Sequence, residues 1–160
     1  MSINDVYLDD EKKETISMVA DLLSHYIDEQ TFRVASVHGY SSRYRECMKE
    51  AKNEFLNNIY PKILDYVHYF NEYQNIFLCY PNWCSTMPMA MFNFLKCHNT
   101  KGKTIIPVCI HNGEGDGESV ADINKLCPKA NVFPPLEIKS NKIDKFELRK
   151  EIEFLKNKLE

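Results

Sequence analysis

The chain has 160 residues and a formal net charge of −3, with 44% hydrophobic and 27% charged residues. That length predicts one domain over residues 1–160 with a sizeable core, and the composition is ordinary for a globular protein. The acidic balance gives no electrostatic reason to expect nucleic acid, which calls for a basic face, and no apolar run approaches the length of a membrane span.

The N-terminus reads S-I-N-D-V-Y-L-D-D, with neither a basic nor an apolar leader segment, which points to the cytoplasm. Residues 3–8 suit a short strand. Asp9 or Asp10 can cap the helix that follows, and Glu11 places negative charge at its positive end. Ile16, Val19, Ala20, Leu23 and Ile27 recur at helical spacing and predict an amphipathic helix over 11–28. Residues 31–37 alternate like an edge strand. Gly39 to Ser42 form a turn and cap. Tyr44, Met48, Ala51, Phe55 and Ile59 then mark a second helix that stops near Pro61. Residues 63–70 are an aromatic-rich connector that fits helix and strand equally.

Two runs, 76–80 and 104–110, are too short and too continuously apolar for surface helices. They suit strands buried on both faces of a parallel sheet. The loop after the first, 81–87, holds the single Trp of the chain, Trp83; the loop after the second, 111–117, holds three of its five glycines. Loops leaving the carboxyl ends of neighbouring parallel strands form the usual ligand crevice of an open α/β sheet. Pro88 can open a helix over 88–97, and 119–126 reads as another. Residues 131–138 form a strand interrupted by Pro134 and Pro135, which confines its pairing. Leu148, Ile152, Leu155 and Leu159 stripe a last helix over 143–159. Alternation of strands and helices predicts a three-layer α/β sandwich around a five-stranded parallel sheet, with right-handed crossovers.

The six cysteines, at 47, 79, 84, 97, 109 and 127, lack metal-ligand spacing or a Cys-x-x-Cys pair and read as reduced thiols. Cys84, beside Trp83, is the exception to watch. His25, His38, His68 and His98 are scattered. His111 ends a buried strand inside a site loop.

The segments Y-P-N-W-C-S-T-M-P and H-N-G-E-G-D-G-E-S resemble the Y-P-x-W-W-G-T-M-P and H-G-G-S-G-x-G-x-S motifs of a bacterial flavodoxin-like family. The resemblance covers residues 73–160 well and the first seventy poorly. It implies the strand order 2-1-3-4-5, bound FMN, and electron transfer or reduction of a small acceptor, with a redox partner protein. Tyr80, Pro81, Asn82, Trp83, Cys84, Ser85, Thr86 and Met87 would line one side of the flavin, with Trp83 a partly exposed ring wall and Tyr80 and Met87 nearby walls. His111, Asn112, Gly113, Glu114 and Gly115 would hold its pyrimidine edge, the glycines pointing N–H groups at it. Glu114 and Asp116 there would disfavour a reduced flavin that carries negative charge. Alternatively they belong to a surface turn and face solvent.

The family's phosphate loop, Ser/Thr-x-Thr-Gly-Asn-Thr, corresponds to Asp9-Asp10-Glu11-Lys12-Lys13-Glu14-Thr15, which lacks glycine and carries four acids. A carboxylate about 7 Å from a phosphate charge costs on the order of 2 kcal/mol at an effective dielectric near 20. Lys12 and Lys13 offset this as point charges, and Thr15 is the candidate remnant of the motif's last threonine. The alternatives to an FMN flavoprotein are a non-catalytic binding module on the same fold, and a pocket for another flat molecule without a phosphate.

Overall fold

The computed structural model describes residues 2–5, 10–27 and 30–159. In chain order the elements are β1 (Ser2–Asp5), α1 (Asp10–Ile27), β2 (Thr31–Val34), α2 (Tyr44–Leu56), β3 (Asn75–Pro81), α3 (Met89–Cys97), β4 (Thr104–His111), α4 (Ser119–Leu126), β5 (Asn131–Val132), β6 (Leu136–Lys139) and α5 (Lys145–Leu159). The strands pair in parallel in the order β2-β1-β3-β4-β5, with β6 also beside β4. This is the expected order. No described helix is long and apolar enough to cross a membrane.

The two central strands alternate strictly between two cores, as a period-2 backbone must. Ile76, Leu78 and Tyr80 of β3, with Ile105 and Cys109 of β4, pack under Met91, Phe94 and Leu95 of α3 and Ile123 of α4. Phe77, Cys79, Ile106, Val108 and Ile110 face the other way, onto Ile16, Val19 and Leu23 of α1 and Leu148 and Ile152 of α5. Burial on both faces is why these strands read as continuous apolar runs.

Pro107 sits inside β4, where a proline would normally cost a ladder bond. The Phe133 N–H donates to the Ile105 carbonyl at 2.9 Å, so Ile105 turns its backbone toward the β5 side. Residue 107, two positions on, turns the same way. It meets the gap between β5 and β6 where Pro134 and Pro135 interrupt the edge. The missing N–H therefore falls at the break in the edge, outside the paired stretches. The predicted fifth strand accordingly splits in two.

The second strand stops at Val34 rather than Val37. Residues 35–37 instead meet the aromatic connector: the Val37 N–H donates to the Lys62 carbonyl at 2.7 Å, and the Leu64 N–H to the Ala35 carbonyl at 2.8 Å. The connector is thus neither helix nor full strand, and a 3-10 turn at Phe70–Glu72 delivers the chain to β3. Helix α2 ends at Leu56, short of Ile59, because Asn58 turns left-handed at φ 51°. The predicted continuation of the first strand through Leu8 and the cap at Asp9 lie outside the described residues.

His98 staples the connector to α3. The Val67 N–H donates to its Nε2 at 3.2 Å, and its Nδ1 lies 2.8 Å from the Phe94 carbonyl, with the ring packed on Phe94 and Phe70. Burial pulls its pKa below the ordinary 6.5, the Phe94 carbonyl opposing. The unfolded chain therefore binds a proton more readily than the folded one. Stability from this group is fully present above 6.5 and is lost as pH falls toward the depressed folded value. Melting temperature should drop between about pH 7 and pH 5, and the drop should shrink in His98→Phe. An unchanged pH dependence in that variant would show that His98 carries no such linkage.

Candidate functional site

The loop after β3 is a tight hairpin. The Trp83 N–H donates to the Thr86 carbonyl at 2.8 Å and the Thr86 N–H returns to the Trp83 carbonyl at 3.0 Å. Cys84 and Ser85 occupy the two turn positions at φ 53° and 63°, a type I′ geometry that normally selects glycine or asparagine. The resembling motif has glycine at the second of them. Each left-handed residue costs about 1–2 kcal/mol, so contacts from outside the turn must hold it.

Those contacts come from the loop after β4. The Glu118 N–H donates to the Ser85 carbonyl at 2.7 Å, and the Asn82 amide donates to the Gly115 carbonyl at 2.6 Å. The Thr86 hydroxyl donates to Asp122 at 2.7 Å, and the buried Tyr80 hydroxyl donates to Ser119 at 2.8 Å. Gly117, at φ +59°, lies so close that an added Cβ would stand 2.2 Å from the Ser85 oxygen. The two loops are brought together as expected, and they are interlocked.

Several side chains sit deeper than a ligand wall requires. Tyr80 is wholly buried and Met87 nearly so, both in the core under α3 and α4. Burial also pushes the Tyr80 hydroxyl far above its ordinary range. Trp83 is only 5% exposed, contrary to the expectation of partial exposure. Its ring meets Tyr40 edge-to-face at 5.3 Å, because residues 40–48 fold over the hairpin and add Tyr40, Cys47 and Met48 to the α1-side core. Pro81, Asn82 and Thr86 are buried, Cys84 is half-buried and Ser85 is exposed. Tyr40 carried no local signal, since the contact spans more than forty residues of chain. Ser119 is the matching last serine of the second motif, whereas Asp122 and Glu118 could have been suspected only from their place at the end of the glycine loop.

The glycine loop is also arranged differently from expectation. The Gly113 and Gly115 N–H groups do not point at a ligand. Both donate to Nδ1 of His111, at 3.0 and 3.1 Å. Glu114 turns back to accept from the Asn112 N–H at 3.0 Å, and Asn112 itself accepts from the Ser140 hydroxyl at 2.5 Å. Opposite His111, Glu137 Oε2 lies 3.7 Å from Nε2.

Thr15 is buried on α1. The acidic stretch read as the phosphate loop lies outside the residues whose side chains are described. None of the six cysteines forms a disulfide. Burial pushes Cys47 and Cys79 up to about 12 and raises Cys84 and Cys127, which keeps them protonated and poor as nucleophiles. Among the described residues no group of three or more His, Cys, Asp or Glu could hold a metal.

A parallel sheet ordered β2-β1-β3-β4-β5, with its crevice at the carboxyl ends beside the β1/β3 switch point, is the doubly wound α/β scaffold of flavodoxin type. Residues 25–155 match the family profile described as Flavodoxin, and the chain belongs to that family. The match reaches well into the N-terminal half, beyond the part where the motifs carry the resemblance. A protein assigned as a flavoprotein from Bacteroides eggerthii superposes with TM-score 0.77 at 20% identity, over 96% of this chain and 95% of its own. Another from Bacteroides uniformis gives 0.79 at 14%, over 95% and 97%. The flavoprotein of Lactobacillus acidophilus in complex with FMN gives 0.67 at 16%, over 91% and 97%. At such identities the likeness is one of fold. No curated protein sequence matches the chain.

Proposed function

We propose that this protein is an FMN-type flavoprotein that passes electrons to a redox partner protein or reduces a small acceptor in the cytoplasm. One observation carries the reading. The N–H groups of Cys84, Ser85, Glu114, Asp116 and Gly117 have no acceptor among the described residues, and they lie on interlocked loops at the carboxyl ends of β3 and β4. Backbone donors of this kind suit the acceptor-lined pyrimidine edge of a flavin. The FMN-bound relative from Lactobacillus acidophilus supports the choice of ligand. A bound flavin would supply the redox chemistry. The chain's own part is to orient that edge through the two loops, whose mutual hydrogen bonds keep the donors in place. Glu114, Asp116 and Glu118 would set a negative field there that disfavours added negative charge on the ligand.

A cofactor-free binding module is the second reading. It is favoured by the cover that Tyr40 gives Trp83 and by the hold of His111 on the glycine N–H groups. Titration of FMN and riboflavin against the protein, followed by flavin fluorescence, separates the two. The flavoprotein reading expects quenching by both at submillimolar concentration, with FMN no more than about tenfold tighter because the acidic stretch 9–14 opposes a phosphate. No quenching by either sinks it in favour of the module. A much larger preference for FMN would mean that Lys12, Lys13 and the start of α1 suffice for the phosphate.

A further inference from the structure

We propose that His111 is a proton-operated latch on the 113–117 loop. Its neutral imidazole ties up the Gly113 and Gly115 N–H groups, and protonation at Nδ1 releases both to a flat ligand with acceptors along one edge. The ligand half of this inference rests on the flavin reading above; the latch itself does not.

The geometry leaves one consistent proton assignment at neutral His111. Two backbone donors converge on Nδ1, at 3.0 and 3.1 Å, so Nδ1 carries the lone pair and the ring hydrogen sits on Nε2. A proton added at Nδ1 would face two N–H groups. Both hydrogen bonds must then break, because no acceptor remains on that nitrogen. The loop can respond, since Gly113 and Gly115, at φ 134° and 75°, have no side chain to obstruct a backbone rotation. The imidazolium has a compensating partner in Glu137, whose Oε2 is 3.7 Å from Nε2 and whose carboxylate is 45% exposed.

The surrounding charges are mixed. From β6, Lys139 is the register partner of His111 and brings its Nζ against Gly113, opposing protonation. Beyond β6, Lys142 and Asp144 line one cleft with Glu137 and Lys139. From the loop come Glu114, tied to the Asn112 N–H, and Asp116. On β4 itself the Cys109 thiol donates to the Gly115 carbonyl at 3.9 Å, and from the β3 side the uncharged Asn82 amide bonds the same carbonyl. Glu137 is thus the charge placed to stabilise the protonated ring, and Gly115 stays anchored through its carbonyl while its N–H is released.

Amide and imidazole NMR of the ligand-free protein between about pH 8 and pH 5 tests the latch directly. The Gly113 and Gly115 amides should shift and lose exchange protection with the same midpoint as the His111 ring. Glu137→Gln should lower that midpoint. His111→Gln, whose amide oxygen accepts at every pH, should abolish the glycine titration without unfolding the loop. Glycine amides that ignore the His111 titration overturn the proposal. Riboflavin, which has no phosphate to titrate, then tests the ligand half. Its affinity should rise by about tenfold below the midpoint in the native protein and stay flat in His111→Gln. Binding that is equal on both sides of the midpoint overturns that half. No riboflavin binding at any pH counts against the flavin reading, and the amide titration still decides the latch.

Discussion

Gly117→Ala is expected to destabilise the fold by about 3 kcal/mol, the sum of two separate costs. A side chain at φ +59° costs about 1–2 kcal/mol. Its Cβ would stand 2.2 Å from the Ser85 oxygen and 2.7 Å from the Ser85 carbonyl carbon, and relief of such overpacking costs typically about 1–3 kcal/mol. Ser85 cannot simply retreat. It is left-handed at φ 63°, and its carbonyl holds the Glu118 N–H at 2.7 Å, so a shift there opens the hairpin as well. Gly102→Ala is the control, because Gly102 is equally left-handed at φ +75° with nothing within 4 Å of an added Cβ. It should cost about 1–2 kcal/mol, the conformational part alone. Urea denaturation midpoints of the two variants check the difference. Equal losses would mean that the close approach of the loops contributes nothing. On the flavoprotein reading proposed above, the same contact predicts weaker flavin binding in whatever Gly117→Ala protein remains folded, since the loop donors would be displaced.

Trp83→Ala should cost about 3–5 kcal/mol of folding stability, the range for truncating a buried large side chain. At 5% exposure, with Tyr40 packed edge-to-face on it, Trp83 is bound into the core shared with α1 and α2. It is also the single Trp of the chain, so its fluorescence reports its own surroundings. Tyr40→Ala should shift that emission to the red as water reaches the indole. If Trp83 is in addition a ligand wall, Tyr40→Ala should tighten flavin binding, and folded Trp83→Ala protein should bind about tenfold more weakly. Flavin affinity unchanged in both variants would leave Trp83 a purely structural residue. A stability loss below about 1 kcal/mol in Trp83→Ala would contradict its burial.

Much of the fold was legible because the strongest local signals coincide with the most buried elements. The runs 76–80 and 104–110 announced strands covered on both faces, and they became β3 and β4 with one residue added at each end of the first and one at the end of the second. Helix 119–126 matched to the residue, since Pro128 and a glycine-rich entry leave little freedom at its ends. Pro134 and Pro135 announced the broken edge strand, though not that Pro107 of the neighbouring strand would face the break. The connector 63–70 gave no periodicity, because its contacts are single long-range ones: a bridge to Ser36 and the His98 staple.

By itself the sequence determined the alternation of strands and helices, the family motifs, and the two loops that meet at the carboxyl end of the sheet. Apolar periodicity and proline or glycine punctuation are local, and they act before any tertiary contact forms. Only the tertiary structure decided which way the groups on those loops point. Trp83 went inward because residues from α2 and the turn before it fold over the hairpin, which no local pattern foretells. The Gly113 and Gly115 N–H groups went to His111 because its buried imidazole nitrogen needs donors, and the turn of the loop brings these two N–H groups onto it. Direction is a property of packing and hydrogen-bond satisfaction across the chain, and at this site it separates a donor that awaits a ligand from one already spent.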